Sequence, residues 1–507
     1  MKKVALLLSL VLVLSVALVG CGGEQQLGEI DNLVVAQGAD ADSLDPHAAN
    51  DSPSSKVKKQ IYETLVTRDE NMELQPGLAK SWEQIDELTY EFVLEEGVLF
   101  HNGEELTASD VEFTLRRALE SPHVGHIVGA IDPEGFEIVD DYTIRISTEE
   151  PFAPILAHLS HTNAAILNEK AVEEFGDDYY RNPIGTGPYM FESWEQGDRI
   201  ELVKFEEYRG EGAHIPRVTI RNISQNSNRT IELETGDVHI AYDIEPTDID
   251  RIEADPNINL IRDPNLTTSY IGFNLLKDEF QDVKVRQAIN YAIDVDTIIN
   301  TVLEGSGQTA TGPIAPNVWA ANDNLEPYGH DVEKAKELLA EAGYEDGFET
   351  VIWTNDNQTR QDIAVMVRNQ LEQIGIDARI ESMEFGAYLD ETAAGNHDLF
   401  ILGWGTVTAD PDYGLFPLFH SEQHGSAGNR TFYSNERVDE LLEKGRTTDD
   451  EEVRMAAYTE VQEIIRDEAP WLFLNTGEER TGVNASLEGF VNDPTGHHPL
   501  WNVRVAE

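Results

Sequence analysis

The chain reads as an α/β protein assembled from more than one core-forming unit, and three observations lead there. Strand-type and helix-type hydrophobic periods alternate along most of its 507 residues. About 486 residues follow Cys21, enough chain for two or three cores rather than one. No tandem repeat or low-complexity linker separates the segments, so the units are expected to interweave, with the chain crossing between them more than once.

The first segment stands outside this pattern. Lys2 and Lys3 precede an uncharged run from Val4 to Gly20, and then comes the chain's only cysteine, Cys21. A short positive start, an apolar stretch too short for a stop-transfer helix and small residues before the break make a secretory signal over residues 1–20. Leu18-Val19-Gly20-Cys21 resembles the bacterial lipobox, which implies cleavage before Cys21 and lipidation of its thiol and new amino group. Two acyl chains already give stable anchoring, at about 0.8 kcal/mol per buried CH₂. Residues 21–32 are then a lipidated tether, and the protein is expected on the extracytoplasmic face of the cell membrane. With Cys21 acylated no disulfide is available.

Beyond the tether, Leu33 to Gln37 reads as a strand and Lys56 to Val66 as an amphipathic helix with Val57, Ile61 and Leu65 on one face. Leu88 to Leu94 alternates like a strand. Thr107 followed by Asp110 has the spacing of a capping box, and Val111, Leu115, Ala118 and Leu119 then recur at helical spacing. Thr143 to Ser147 is a further strand. Phe348 to Trp353, a helix carrying Ile363, Val367, Leu371 and Ile374, a stop at Gly375 and Ile376 to Ile380 form a strand–helix–strand unit, which predicts parallel pairing. Ser434 opens a helix with Val438, Leu441 and Leu442, and another runs from Glu451 to Arg466 before Pro470.

Composition excludes whole classes of partner. The chain holds 36 Lys and Arg against 95 Asp and Glu. Removing Lys2 and Lys3 with the leader leaves 34 against 95, a net charge of −61. Such a surface repels nucleic acid and anionic headgroups. It is not the composition of a disordered chain, because 40% of residues are hydrophobic and seven Trp, sixteen Tyr and eighteen Phe supply cores. The acidity fits a saline or alkaline medium, where screening shortens the reach of self-repulsion to about 3 Å at 1 M salt.

Seven phrases carry a family resemblance in order along the mature chain. They are Asp42-Ser43-Leu44-Asp45-Pro46-His47, Gln60 to Leu65, Pro76 to Trp82, Phe100-His101-Asn102-Gly103, Leu106 to Val111, Gly185-Thr186-Gly187-Pro188-Tyr189 and Val285 to Asp294. On these the chain resembles the bacterial extracellular solute-binding proteins of family 5, the peptide, nickel and opine receptors that serve ABC importers. The resemblance implies a two-lobed α/β fold of the periplasmic-binding-protein kind, of the large three-subdomain class, with a ligand cleft at the hinge. Carried onto this chain, lobe 1 spans residues 33–265 with an inserted subdomain over about 56–181, lobe 2 spans 266–474, and 475–507 return to lobe 1. It also implies a monomer that delivers a small peptide or peptide-like solute to permease subunits, with no cofactor and no catalysis.

The candidate site rests partly on that resemblance. Trp404 matches an aromatic that packs on ligand in the peptide receptors. Three residues on, dipeptide receptors carry an aspartate for the peptide amine, where this chain has Val407, and their carboxylate-binding arginine falls near Thr354. Both terminal clamps are absent at those positions, and an α-ammonium buried without a counter-charge costs several kcal/mol. The run Gly403 to Tyr413, with Thr406, Thr408, Asp410 and Asp412, is instead similar to the glutathione-binding branch. Asp410 and Asp412 are candidates for an ammonium group, or turn formers beside Pro411. Arg430 is the candidate carboxylate partner, able to make two parallel bonds. Asn50 and Ser52 follow the Asp45-Pro46 turn where peptide receptors contact ligand, and Tyr270 and Asn274 lie on a presumed crossing strand, Asn274 with the alternative role of satisfying backbone groups. Gly185 to Tyr189 reads as a structural turn exploiting glycine's positive φ.

Two other readings come from the residues alone. His420 and His424 have i, i+4 spacing and His497 and His498 are adjacent, so a metal-chelate receptor is the alternative, although Gly425 and Gly428 favour a loop over a helix there. A secreted hydrolase is the second alternative, since carboxylate pairs are abundant. Against it, the chain has no Gly-x-Ser-x-Gly elbow, no His-Glu-x-x-His, no P-loop and no free thiol nucleophile.

Overall fold

The computed structural model describes residues 30–69, 71–425 and 428–506. The signal segment, Cys21 and most of the tether lie outside the described residues. No helix among those described is long and apolar enough to cross a membrane.

One large mixed sheet runs through the molecule. Its strand order is Asp377–Met383, Glu349–Asn355, Leu399–Gly405, Ile258–Phe273, Trp471–Asn484, Ile240–Ala241, Asn32–Gln37, Arg217–Asn222, Arg199–Lys204, Tyr189–Glu195. The two long central strands, Ile258–Phe273 and Trp471–Asn484, pair antiparallel along their length, with register breaks between Pro264 and Thr268 and between Ser269 and Tyr270. On one side of this pair the sheet packs on a core built around Leu33, Val35, Ile61, Tyr189 and Val218. On the other side it packs on Ile271, Val285, Ile289, Val367 and Leu371 below and on Phe400, Phe419, Tyr458 and Trp471 above. The result is two lobes joined through two strands.

A third core sits in a small four-stranded sheet, ordered Ala79–Gln84, Thr89–Leu94, Thr143–Thr148, Ile131–Asp140. The helix Ala108–Leu119 covers it through Val111, Leu115 and Ala118. Its start is capped as the spacing predicts, the Asp110 carboxylate accepting from the Thr107 N–H at 3.0 Å. The Asp45-Pro46-His47 turn is tied to this helix by Arg117, whose two terminal nitrogens meet the Asp45 carboxylate at 2.9 and 2.5 Å. That motif is therefore a clamp between lobe and inserted sheet.

The strand–helix–strand unit forms as expected. Glu349–Asn355 and Asp377–Met383 pair in parallel around the helix Gln358–Leu371, and Gly375 takes φ 84° at the stop. The helix expected from Lys56 to Val66 is displaced. It runs Ser52–Ile61, capped by the Asp51 carboxylate on the Ser54 N–H, with Pro53 in its first turn. Its end is set from outside, because the Ile61 carbonyl accepts the Gly187 N–H at 2.8 Å and Tyr62 is extended. Leu65 and Val66 consequently belong to the core of the inserted sheet. The helix assigned to Ser434 is capped one residue later, by Asn435 on the N–H groups of Arg437 and Val438.

Gly185 and Gly187 are needed for closeness, not for positive φ, since neither is left-handed. A Cβ on Gly185 would lie 2.1 Å from the Ile61 oxygen and 2.8 Å from the Tyr62 ring, and one on Gly187 2.6 Å from the Ile61 carbonyl carbon. Gly185→Ala should lower stability by about 1–3 kcal/mol or more, because the clash is with backbone. Gly329→Ala, whose Cβ meets nothing within 4 Å, should stay within about 0.5 kcal/mol of the parent. Urea unfolding of the two variants checks this.

Candidate functional site

A cavity of about 360 Å³ opens where the crossing strands leave one lobe for the other. Its walls come from both sides. Lobe 1 contributes Gln37, Ser52, Lys56, Arg229, Asp243 and Glu245, the crossing strands Asn265, Thr267, Asn475, Glu478, Glu479 and Arg480, and lobe 2 Asp356, Thr359, Arg360, Ile363, Phe385 and Leu402.

The lobe 1 wall is a rigid charged turn. Asp243 sits at φ 54°, in the left-handed region that a residue with a Cβ rarely adopts. Arg229 holds it there, donating to the carbonyls of Tyr242, Ile223 and Asp243 at 3.2, 2.7 and 3.2 Å. The Lys56 ammonium lies 3.6 Å from the Asp243 carboxylate and 4.7 Å over the Tyr242 ring. Lys56 first, then Arg229 and Arg480, pull the Asp243 pKa down to about 2. Burial opposes ionisation of Glu479 beside it, but the hydrogen bond to His498 and the charge of Lys56 outweigh burial and hold it below the usual range.

Of the residues singled out in the sequence, only Ser52 lines this cavity. A second group is gathered at the contact between the inserted sheet and the helix Pro411–Phe419 of lobe 2. The Tyr413 hydroxyl meets Asn50 Nδ2 at 3.2 Å and His161 Nε2 at 2.9 Å. The Trp404 indole donates to the Tyr413 carbonyl at 3.0 Å, with ring centroids 5.3 Å apart. Asp412 is buried between His158 Nε2 at 3.1 Å and Arg446 Nη2 at 3.2 Å. Arg446 and His158 overcome the effect of burial and keep Asp412 ionised below the usual carboxylate range. Asp410 caps the helix on the Asp412 N–H and pairs with Arg454, both oxygens at 2.8 Å. Thr408 accepts from the Asp410 N–H at 3.3 Å, and Thr406 is buried in the same turn. His126, stacked near Tyr413, is pushed down to about 3 by burial, then by His158 and Arg430.

The remaining candidates lie inside lobe 2. Tyr270 stacks flat on Trp471 at 3.6 Å. Asn274 spends its amide on backbone, donating to the carbonyls of Gly395 and His397 and accepting from the Leu276 N–H. Arg430 is 9% exposed, and among the described residues its Nε has no partner. His420 and His424 flank the 3₁₀ turn Ser421–Gln423 rather than sharing a helical face. His420 Nε2 faces Glu443 at 3.4 Å and His424 Nε2 the Tyr433 carbonyl at 2.9 Å. Among the described residues no group of three or more His, Cys, Asp or Glu is arranged to hold a metal ion. Lys56, Asp243, Arg360 and Glu479 are among the charged residues of the cavity and no motif announces them, apart from the tolerance of Asp for left-handed backbone.

Comparison with known proteins bears on this architecture. The model for bacterial extracellular solute-binding proteins, family 5 Middle, matches residues 73–426. The glutathione-binding protein GsiB of Salmonella typhi is 33% identical over 469 residues, 90% of this chain and 91% of the relative. The ABC transporter-associated periplasmic binding protein DppA of Helicobacter pylori, solved in complex with the peptide STSA, matches with a TM-score of 0.89 at 32% identity, covering 94% of this chain and 98% of that one. NikZ of Campylobacter jejuni, in complex with Ni(L-His), matches with a TM-score of 0.84 at 26% identity, covering 94% and 99%.

Removing one member of a buried ion pair leaves the other uncompensated. Asp412→Asn should therefore cost about 3 kcal/mol at pH 7. Because the folded state depresses the Asp412 pKa, that contribution is complete above the unfolded value near pH 4 and is lost as pH falls below it. The stability gap between variant and parent, measured by urea unfolding, should narrow from pH 5 to pH 2.5. A constant gap would contradict the ion pair.

Proposed function

This chain belongs to the bacterial extracellular solute-binding proteins of family 5, and from that premise we propose that it captures a short peptide or peptide-like solute, glutathione included, and hands it to the permease of an ABC importer. The observation that carries the reading is the cavity of about 360 Å³ shared by both lobes and lined by charges of both signs. Its size is that of a small-ligand site. Side-chain amides on the two crossing strands, such as Asn265 and Asn475, suit the amide groups of a peptide backbone. Ligand that touches both lobes stabilises the closed state more than the open one, and that difference drives closure. Glutathione binding by the GsiB relative and peptide binding by the DppA neighbour support the choice of cargo.

We place the lobe boundaries at 265/266 and 474/475. The register break between Pro264 and Thr268 supports a hinge in the first crossing strand, and the cavity residues Asn475 and Gly477 support one in the second. Cys21 is proposed as the lipid anchor, tested by the mass of the mature N-terminal peptide.

Native mass spectrometry of gently purified protein, followed by calorimetry with glutathione and di- to tetrapeptides, tests the cargo. A retained peptide supports the reading. Stoichiometric nickel would favour the chelate alternative, and turnover of the bound compound the hydrolase. Trp404 lies two residues beyond the cavity-lining Leu402 on the same face of its strand. Trp404 itself packs on Tyr413 and on the core of the inserted sheet, outside the cavity lining, so Trp404→Ala should weaken binding only through the lost contact, by about 1 kcal/mol, with the unfolding transition retained.

A further inference from the structure

We infer that the cavity selects ligands with separated opposite charges, Arg360 of lobe 2 anchoring a carboxylate while Asp243 of lobe 1 receives an ammonium group. The inference rests on the peptide-receptor reading and adds to it which residues discriminate.

Arg360 lies in the first turn of the helix Gln358–Leu371 and lines the cavity. Among the described residues its side chain makes one hydrogen bond, from Nη1 to Asn355 Oδ1 at 3.1 Å. Among the described residues no carboxylate comes within 4 Å of it, although the chain carries 95 acidic side chains. The other cations of the cavity are already engaged. Lys56 faces Asp243 at 3.6 Å, Arg480 lies 3.9 Å from Glu478, and Arg229 is used up on three backbone carbonyls. Arg360 is thus the cavity cation with a planar fork of donors still to place, and its position at a helix start adds the favourable end of the helix dipole. Burial lowers its pKa, and Tyr388, Tyr270 and the Asp243 charge offset that only in part. Asp356 and Glu245 also face this corner. Glu245 is occupied by Thr359 at 3.3 Å and by Asn226, and Asp356 is bonded to Asn355 at 3.4 Å.

Across the cavity, the Asp243 side chain is 52% exposed and ionised, with Lys56 3.6 Å away and Arg229 and Arg480 acting on it from further off. Its oxygens have lone pairs left for a ligand donor. The two anchors sit on different lobes. A ligand with both charges bridges the hinge, whereas one with a single charge satisfies one wall and leaves the other uncompensated. These anchors are residues other than Val407 and Thr354, where the peptide-receptor clamps are missing, although Arg360 reaches the neighbour of Thr354 through Asn355, so the chain recovers terminal recognition from other residues.

Calorimetry on the mature protein with tri-alanine, tri-alanine amide, N-acetyl-tri-alanine and glutathione tests this. The parent should bind the free acid at least about tenfold more tightly than the amide, and more tightly than the acetylated peptide. Arg360→Gln should lose that acid-over-amide preference, and Arg360→Lys should restore part of it. A parent that binds peptides but ignores the amide cap overturns the role of Arg360, as does an unchanged preference in Arg360→Gln. The parent's ratio needs no variant, so a misfolded variant does not decide the matter. A parent that binds none of the four overturns the peptide reading as well.

Discussion

The pairing of Ile258–Phe273 with Trp471–Asn484 is the constraint on which the rest of the molecule depends. Two antiparallel strands resist shear along their length, because sliding would break the whole ladder at once, yet they twist where the ladder is interrupted. The interruption between Pro264 and Thr268 is where Asn265 and Thr267 enter the cavity. On the proposed reading, hinge and ligand site are the same stretch of backbone. A solute lying there touches residues whose relative position changes most when the lobes move, and its contacts are converted into closure with little loss.

The second constraint is charge. A chain with a net charge of −59 has few cations to spend, and the buried ones are placed where carbonyls or carboxylates converge. Arg229 stitches the Asp243 turn, Arg286 ties the carbonyls of Phe280, Gln281 and Glu468 together, and Lys58 joins the Ala49 carbonyl to Asn163. These bonds replace the disulfides that a single cysteine cannot supply. They also leave the cavity wall stiff, which keeps ligand charges meeting preset partners instead of mobile side chains.

Periodicity carried the fold a long way. The parallel unit around Gln358–Leu371 and the Thr107–Asp110 cap follow from local spacing, and local spacing survives folding. The helix at Ser52–Ile61 was misplaced because its end depends on Gly187, more than 120 residues away, and its true start on Asp51 and Pro53. The glycines of Gly185-Thr186-Gly187 were assigned to positive φ when the physical demand is the approach of another backbone, which no one-dimensional pattern encodes. The cavity was less visible still. Lys56, Asp243, Arg360 and Glu479 come from four distant places and meet only because the crossing strands bring them together. Motif-bearing residues such as Asp410 and Asp412 proved to be engaged with Arg454 and Arg446.

The contact around Tyr413 explains why motif-rich sequence and cavity are separate. Asn50, His158 and His161 meet Tyr413 and Asp412 of lobe 2, and the Ala153 N–H donates to the Arg446 carbonyl at 2.9 Å. The inserted sheet is thereby tied to lobe 2 by polar bonds as well as by Tyr413, Trp404 and Val407 packed on its core. A wholly apolar seam of this extent would hold the lobes shut without ligand, at about 25 cal/mol for each Å² buried. Polar groups are nearly as well satisfied by water when the lobes part, so their net contribution is only about 1 kcal/mol each. A receptor that must release its cargo needs a closed state only slightly favoured before ligand arrives. Specific residue types are required at such a contact for geometry, and the energy that settles closure is left to the solute.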